Sequence, residues 1–507
     1  MLKTLRIRTS INNKLHKKPE SKSRNNNNNS NNKSDNTAST DPSIMAPINS
    51  VMRESSQPQV QNDVTSRTPA TSAAGAAKAP APIMIAGGGI VGLVMALAIE
   101  KHTGLQAEIY EQAHGYDDEV GAGMGMYANG LRVIRDISPD LLEELQANGY
   151  PYQYRRWERH DGTLVTECDE RALGEKETET IHGVSCELQT LGIRRWKLQQ
   201  ALHKAVAKAG VSVYFNKKVE TVKTPENGMT EVVFTDGSSR QTQLLIAADG
   251  GRSAIRTCQL QKMFNSNDPA AEKKEDEQMP KLDYTGVTCI MGVAENIASR
   301  RGITFPVANT TQCHGAFYPT APTEQCFQFH FPVPAKKNDE TGSCTQDSCW
   351  GNLSQKVSRD ECGKLAEILE ADGWDEEKFL RPLRNVTNAV RVGFCKLSPS
   401  LEKWSFPNAH GRPGTILVGD AAHPPVPYIG QGAQQGIEDA GTLALLLKKF
   451  CLDDQGNLDL QNLDYAVTVY ESIRIPRVRE ILDNCHSWGN MQLKRAQNAA
   501  YNIVKEE

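Results

Sequence analysis

Hydrophobic and polar positions along the chain fall into three recurring units, each a short apolar run that stops at a glycine-rich or acidic turn. In the first, Pro82-Ile83-Met84-Ile85-Ala86 precedes Gly87-Gly88-Gly89-Ile90-Val91-Gly92 and an apolar stretch from Leu93 to Ile99. In the second, Leu244-Leu245-Ile246-Ala247-Ala248 stops at Asp249-Gly250-Gly251. In the third, Thr415-Ile416-Leu417-Val418 runs into Gly419-Asp420-Ala421-Ala422-His423. A Pro-rich turn then passes through Gly430-Gln431-Gly432 to a helix expected to begin near Ala433. Unbroken apolar runs of this length, closed by turn residues, predict strands buried on both faces of an α/β sheet. A different pattern occupies Cys326 to Phe331, where phenylalanine takes every second position and predicts a strand with one aromatic face.

The turns carry chemistry. Gly87, Gly89 and Gly92 form the G-x-G-x-x-G of a dinucleotide-binding βαβ unit. The first permits a tight turn, the second lets backbone approach a pyrophosphate, and the third lets helix and strand pack closely. A second strand, Gln106 to Tyr110, ends in Glu111, 19 residues after Gly92, where a carboxylate accepts ribose hydroxyls. Gln112 follows it, so no basic neighbour favours a 2′-phosphate. In the third unit an acid at a strand end is followed by an uncharged helix start, which aims backbone N–H groups at whatever lies above the strand. Residues 79–99 carry no charge, but three consecutive glycines and two prolines make a poor membrane-spanning helix.

In chain order, these turns, with Ser253 and Arg256 completing the second and Pro427 the third, resemble the single-component FAD-dependent aromatic hydroxylases. That family includes p-hydroxybenzoate and salicylate hydroxylases and zeaxanthin epoxidase. The likeness runs from about residue 82 to about residue 490. It takes in Gly121-Ala122-Gly123-Met124, Arg195-Trp196-Lys197-Leu198, and Tyr470-Glu471-x-x-Arg474-x-Pro476-Arg477. The resemblance implies a Rossmann-like FAD-binding domain interleaved with a mixed β-sheet substrate domain and followed by C-terminal helices.

It also implies roles. Gly87, Gly89 and Gly92 would hold the pyrophosphate, Glu111 the adenosine ribose, and Gly123 would pass close to the cofactor. Arg195 would contact the flavin side of FAD, and Asp249 and Gly250 would support cofactor binding. Asp420 would bind the ribityl or pyrophosphate part, with Gly430, Gly432 and Ala433 placing N–H groups near the pyrimidine end of the isoalloxazine. A reduced flavin is an anion with its charge at that end, so a helix N-terminus there stabilises it. His423 is expected to pack or hydrogen-bond in the turn rather than to transfer a proton. In such enzymes NADH or NADPH reduces the flavin and O₂ forms a C4a-hydroperoxide. A small aromatic or olefinic substrate then receives one oxygen, and the cofactor does the oxygen chemistry. The aromatic face at Phe327, Phe329 and Phe331 either roofs the substrate pocket or fills core.

Bulk properties fit. A 507-residue chain is long enough for two domains, and a net charge of −4 without a basic stripe gives no reason to expect nucleic acid. The 12 cysteines show no C-x-x-C pair, so neither a zinc site nor a disulfide framework is expected, and a reducing intracellular compartment is. Residues 1–80 are polar and Asn-rich and read as a disordered tail. Its acid-free first 19 residues suit either an organellar transit peptide or a plain basic tail, and Met45 is an alternative start. FAD-domain pieces are expected at 82–150, 192–257 and 385–490, substrate-domain pieces at 151–191 and 283–384, and a tail at 491–507. Stretches 264–281 and 335–347 read as surface loops. No apolar 20-mer marks a C-terminal anchor, and oligomeric state is not legible.

The expected function is therefore an FAD-dependent monooxygenase. A reductase or dehydrogenase of the same fold and a non-enzymatic flavin-binding protein are the alternatives. A flavin halogenase is disfavoured because no Trp-x-Trp-x-Ile-Pro segment occurs.

Overall fold

The computed structural model describes residues 81–116, 121–170, 188–265, 279–307, 313–332 and 355–506. The tail at 1–80, the stretch 335–347 and most of 264–281 lie outside the described residues.

The first unit folds as β1 (Ala81–Ala86), α1 (Ile90–Thr103) and β2 (Ala107–Tyr110). The chain continues through β3 (Gly123–Met126), α2 (Ala128–Ile137), α3 (Arg195–Lys208), β4 (Ser212–Tyr214) and β5 (Ser239–Ala247). Four long strands follow: β6 (Lys281–Glu295), β7 (His314–Ala321), β8 (Glu324–Pro332) and β9 (Val386–Ser398). The third unit supplies β10 (Pro413–Leu417) and α4 (Gly432–Phe450), and α5 (Leu463–Glu506) completes the chain.

One sheet has the parallel order β10-β5-β1-β2-β4 at its heart. Ile83 pairs with both Ala107 and Leu244, and Leu245 with Thr415, so the three apolar runs lie side by side. Helices cover both faces, which is why these strands are apolar without alternation. Ile83, Met84, Ile85, Leu244, Leu245, Ile246, Ile416 and Leu417 are fully buried. As far as Ile99, α1 is uncharged and buried nearly all round, and among the described residues no helix is long and apolar enough to cross a membrane.

The second sheet runs β9-β6-β8-β7, then the strands Gly302–Val307, Tyr154–Arg159 and Leu164–Asp169. One of its faces packs Phe317, Phe327 and Phe329 against Cys362, Leu369, Trp374 and Phe379. The opposite face carries Ala316, Tyr318 and Cys326 towards Ala122, and Cys289 and Phe394 towards Val426 and Tyr428. This second face is the one turned to the first sheet.

Two boundaries differ from those read in the sequence. Because β9 pairs along its length with β6, residues 386–398 belong to the second sheet and not to the cofactor side. The expected tail at 491–507 is instead helical as far as Glu506, since α5 continues without a break. Eight described cysteines are free thiols. Cys395 is disulfide-bonded, which the reading of the cysteines as unpaired did not anticipate.

Candidate active site

Neighbouring parallel strands present their C-terminal ends together, and a crevice opens there. The turns after β1, β5 and β10 meet at that edge. Gly87 has a φ of +102°, and a Cβ on it would lie 2.4 Å from the Ala248 carbonyl oxygen. A Cβ on Gly92 would lie 1.9 Å from the Gly87 oxygen, so only glycine closes this strand-to-helix turn. At Gly89, the N-cap of α1, nothing lies within 4 Å and the backbone is open. Arg256 ties the second turn to the third, donating from Nη2 to the Gly251 oxygen (2.6 Å) and from Nη1 to the Ala421 oxygen (2.7 Å).

Polar groups line the crevice. Glu111 Oε2 accepts from the Gly88 N–H at 2.5 Å and Oε1 from the Ala113 N–H at 2.8 Å, which fixes the carboxylate beside the first turn. Arg195 opens α3 and lies within electrostatic reach of both Asp420 and Glu111. Its side chain stays exposed although protein surrounds it deeply enough to lower its pKa. A cation in that position lines an open recess rather than a surface. Burial likewise raises the Asp420 carboxyl above its ordinary range, against the pull of His423, Arg195 and Arg256. Burial also raises Asp249, whose Oδ2 accepts from the Ile255 N–H at 3.2 Å while Oδ1 has no partner.

Two helix starts converge here. Neither α1 nor α4 has a capping side chain or an acid in its first turn. A Cβ on Gly432 would stand 3.9 Å from Asp420 Oδ1, so the start of α4, with Ala433 in its first turn, lies over that acid. Gly430 turns the chain at φ +66° with the Tyr127 hydroxyl close by.

Behind the third turn lies a second set of charges. Asp439 Oδ2 accepts from the Gly419 N–H (2.8 Å) and bonds His423 Nε2 (2.6 Å), while Oδ1 accepts from Arg474 Nε (2.7 Å). Arg474 also donates to Glu438 Oε2 at 2.6 Å, and Asn129 Nδ2 donates to Glu438 Oε1 at 2.7 Å. His423 therefore holds the turn by hydrogen bonding, as expected, and is itself buried against Trp404.

The FAD binding domain family model matches residues 80–382. The chain belongs to this family. The chain is 25% identical over 428 residues to the FAD-dependent monooxygenase eupB of Phoma sp, an alignment covering 79% of this chain and 86% of that protein. The 3-amino-4-hydroxybenzoate 2-monooxygenase PtmB3 of Streptomyces platensis is 27% identical, over 79% of this chain and 85% of its own. Among solved structures, HpxO of Klebsiella pneumoniae complexed with FAD and uric acid superposes with a TM-score of 0.62 at 22% identity, covering 84% of this chain and 93% of that one. A salicylate hydroxylase substrate complex gives 0.58 at 19% identity, over 85% and 93%. The structural likeness concerns the fold, which is the interleaved α/β architecture expected from the sequence. The chain is an FAD-dependent monooxygenase.

The crevice suits that cofactor on its own evidence. It offers two uncapped helix starts for negative charge, an exposed yet recessed Arg195, and in Asp249 Oδ1 a buried acceptor that the chain leaves unused. Gly123 lies next to Ala122, whose carbonyl oxygen accepts the Arg195 N–H at 3.1 Å. A Cβ on Gly123 would meet Thr320 and Cys326 at 2.4 and 2.8 Å, so its smallness serves the contact between β3 and the second sheet.

The aromatic reading of β8 resolves towards core. Phe327 and Phe329 face away from the crevice, and the residues between them, Cys326, Gln328 and His330, face it. Strict alternation was the available signal; what it left open was which side the cofactor domain would occupy. Arg256 and Arg474 stood in the quoted motifs without a role, and Asp439 went unnoticed because nothing local distinguishes it from any other helical acid.

Proposed function

We propose that this protein uses NADH or NADPH, with O₂, to hydroxylate or epoxidise a small aromatic or olefinic molecule. The observation that carries the reading is the meeting of three distant turns at one sheet edge, with two uncapped helix starts and the cation of Arg195 among them. Glu111 would accept the ribose hydroxyls. Gly87, Gly89 and Gly92 would let the pyrophosphate reach the start of α1. Arg195 and Asp420 would grip the middle of FAD, with Asp249 and Gly250 supporting the turn beside them. The N–H groups near Gly430, Gly432 and Ala433 would face the pyrimidine end of the ring, where partial positive charge from α4 favours the reduced anion.

Bound FAD supplies the hydride acceptance and the oxygen activation. The chain's own contribution is to bind, orient and keep water out. Val426 and Tyr428, carried on the Pro-rich turn, pack against Cys289 and Phe394 of the second sheet and seal one side. Reductases of the same fold would turn over without oxygen. FAD-loaded protein should therefore show substrate-dependent NAD(P)H oxidation coupled to O₂ uptake when screened with phenols, aromatic acids and polyenes, with products heavier by one oxygen atom. NAD(P)H oxidation without O₂ uptake would overturn the proposal.

A further inference from the structure

A chain of hydrogen bonds on the crevice-facing side of the second sheet determines the protonation of one buried ring. The Tyr318 hydroxyl lies 2.8 Å from the Gly123 carbonyl oxygen, which can only accept, so Tyr318 donates. Its oxygen then accepts from Gln328 Nε2 at 3.1 Å. The other end of that amide, Oε1, is an acceptor and lies 3.3 Å from His330 Nε2. His330 Nε2 must therefore carry the proton. His330 is 4% exposed and packed by Phe394, Tyr428 and His314, at ring separations of 5.1, 5.5 and 4.9 Å. Burial holds its pKa well below the ordinary imidazole value, so the ring is neutral. A neutral ring with its proton on Nε2 leaves Nδ1 as a bare lone pair. That nitrogen is buried and has no hydrogen-bond partner.

An unmet buried acceptor is costly, and it persists in folded proteins mainly where something else completes it. Its position narrows the choice. Gln328 and His330 project from β8 on the side of Gly123 and Tyr428, and Tyr428 belongs to the Pro-rich turn beside the proposed flavin ring. Apart from the imidazole of His314, the nearby groups are aromatic or apolar: Phe394, Tyr428, Val426, Cys289 and Met291.

We propose that His330 Nδ1 recognises the substrate by accepting a hydrogen bond from it, so that the substrate class is a neutral aromatic bearing a donor, a phenol or ring N–H. This rests on the monooxygenase reading above and deepens it. A site of this kind discriminates against an analogue lacking the donor, because binding such an analogue leaves the nitrogen unpaired in a drier environment. Gln328 and Tyr318 act as positioning residues, fixing the tautomer from behind.

The test uses the FAD-loaded full-length protein, with flavin retention measured first in every sample. Protein that cannot hold FAD would sink the proposed function; the outcomes below bear on His330 alone. 2-Naphthol and 2-methoxynaphthalene are titrated while the flavin spectrum is followed. The expected result is about tenfold or greater preference for the phenol, lost in His330→Leu. Equal binding of the two probes, or binding of neither, overturns the inference. As a measurement that survives a misfolded variant, ¹⁵N NMR of histidine-labelled wild-type protein should show His330 with a pyridine-type Nδ1 and a protonated Nε2. A protonated Nδ1 would equally overturn it.

Discussion

Two groups of charges lie on opposite sides of the Gly419–Ala422 turn, and the chain treats them differently. Behind it, Asp439 is fully buried, and the backbone of Gly419, His423 and Arg474 all bond to its carboxylate, so that despite burial its pKa is held down to about 2. In front, Asp420, Asp249 and Arg195 are recessed but incompletely matched, and burial pushes each towards its neutral form. A network completed within the chain stabilises the fold. A network left open to a crevice waits for a ligand and contributes little to the empty protein.

The largest expected effect falls behind the turn. Asp439→Ala leaves Arg474 and His423 without their anion and should cost about 3–5 kcal/mol in urea unfolding, with or without FAD. A loss below 1 kcal/mol would mean that the network is dispensable. In front, Asp420→Ala should weaken FAD by about 3 kcal/mol, enough for the yellow colour to separate from protein on gel filtration, while the urea midpoint of the apoprotein stays near wild type. If that midpoint falls as far as in Asp439→Ala, the contrast between the two groups is wrong.

Glu111→Ala should weaken FAD by about 1–3 kcal/mol, read by flavin fluorescence titration, because ribose hydroxyls lose an acceptor and the Gly88 N–H loses its own. Unchanged affinity would point the carboxylate elsewhere. The smallest effect is in acid. The pKa of Asp439 is lower folded than unfolded, so the unfolded chain binds more protons between about pH 4 and pH 2. The contribution of Asp439 is therefore whole above pH 4 and lost as pH falls through about 2. The stability gap between wild type and Asp439→Asn should shrink by about 1–2 kcal/mol across that window. A gap that stays constant from pH 5 to pH 2 would rule this linkage out.

What the sequence determined by itself were the features set by local sterics and local periodicity. Gly87 and Gly92 are glycines because backbone passes within 2.4 Å of where a side chain would begin. The unbroken apolar runs follow from helices on both faces of a parallel sheet, and an uncharged helix start after Gly430 is written in consecutive residues. Tertiary structure alone decided the pairings between distant segments. Alternation in β8 separates Phe327 and Phe329 from Gln328 and His330, but it carries no label for the side on which a second domain will pack. Likewise, nothing near His423 names Asp439, 16 residues on, or the Arg474 that completes the group, because a buried charge finds its partner through the folding of the whole chain.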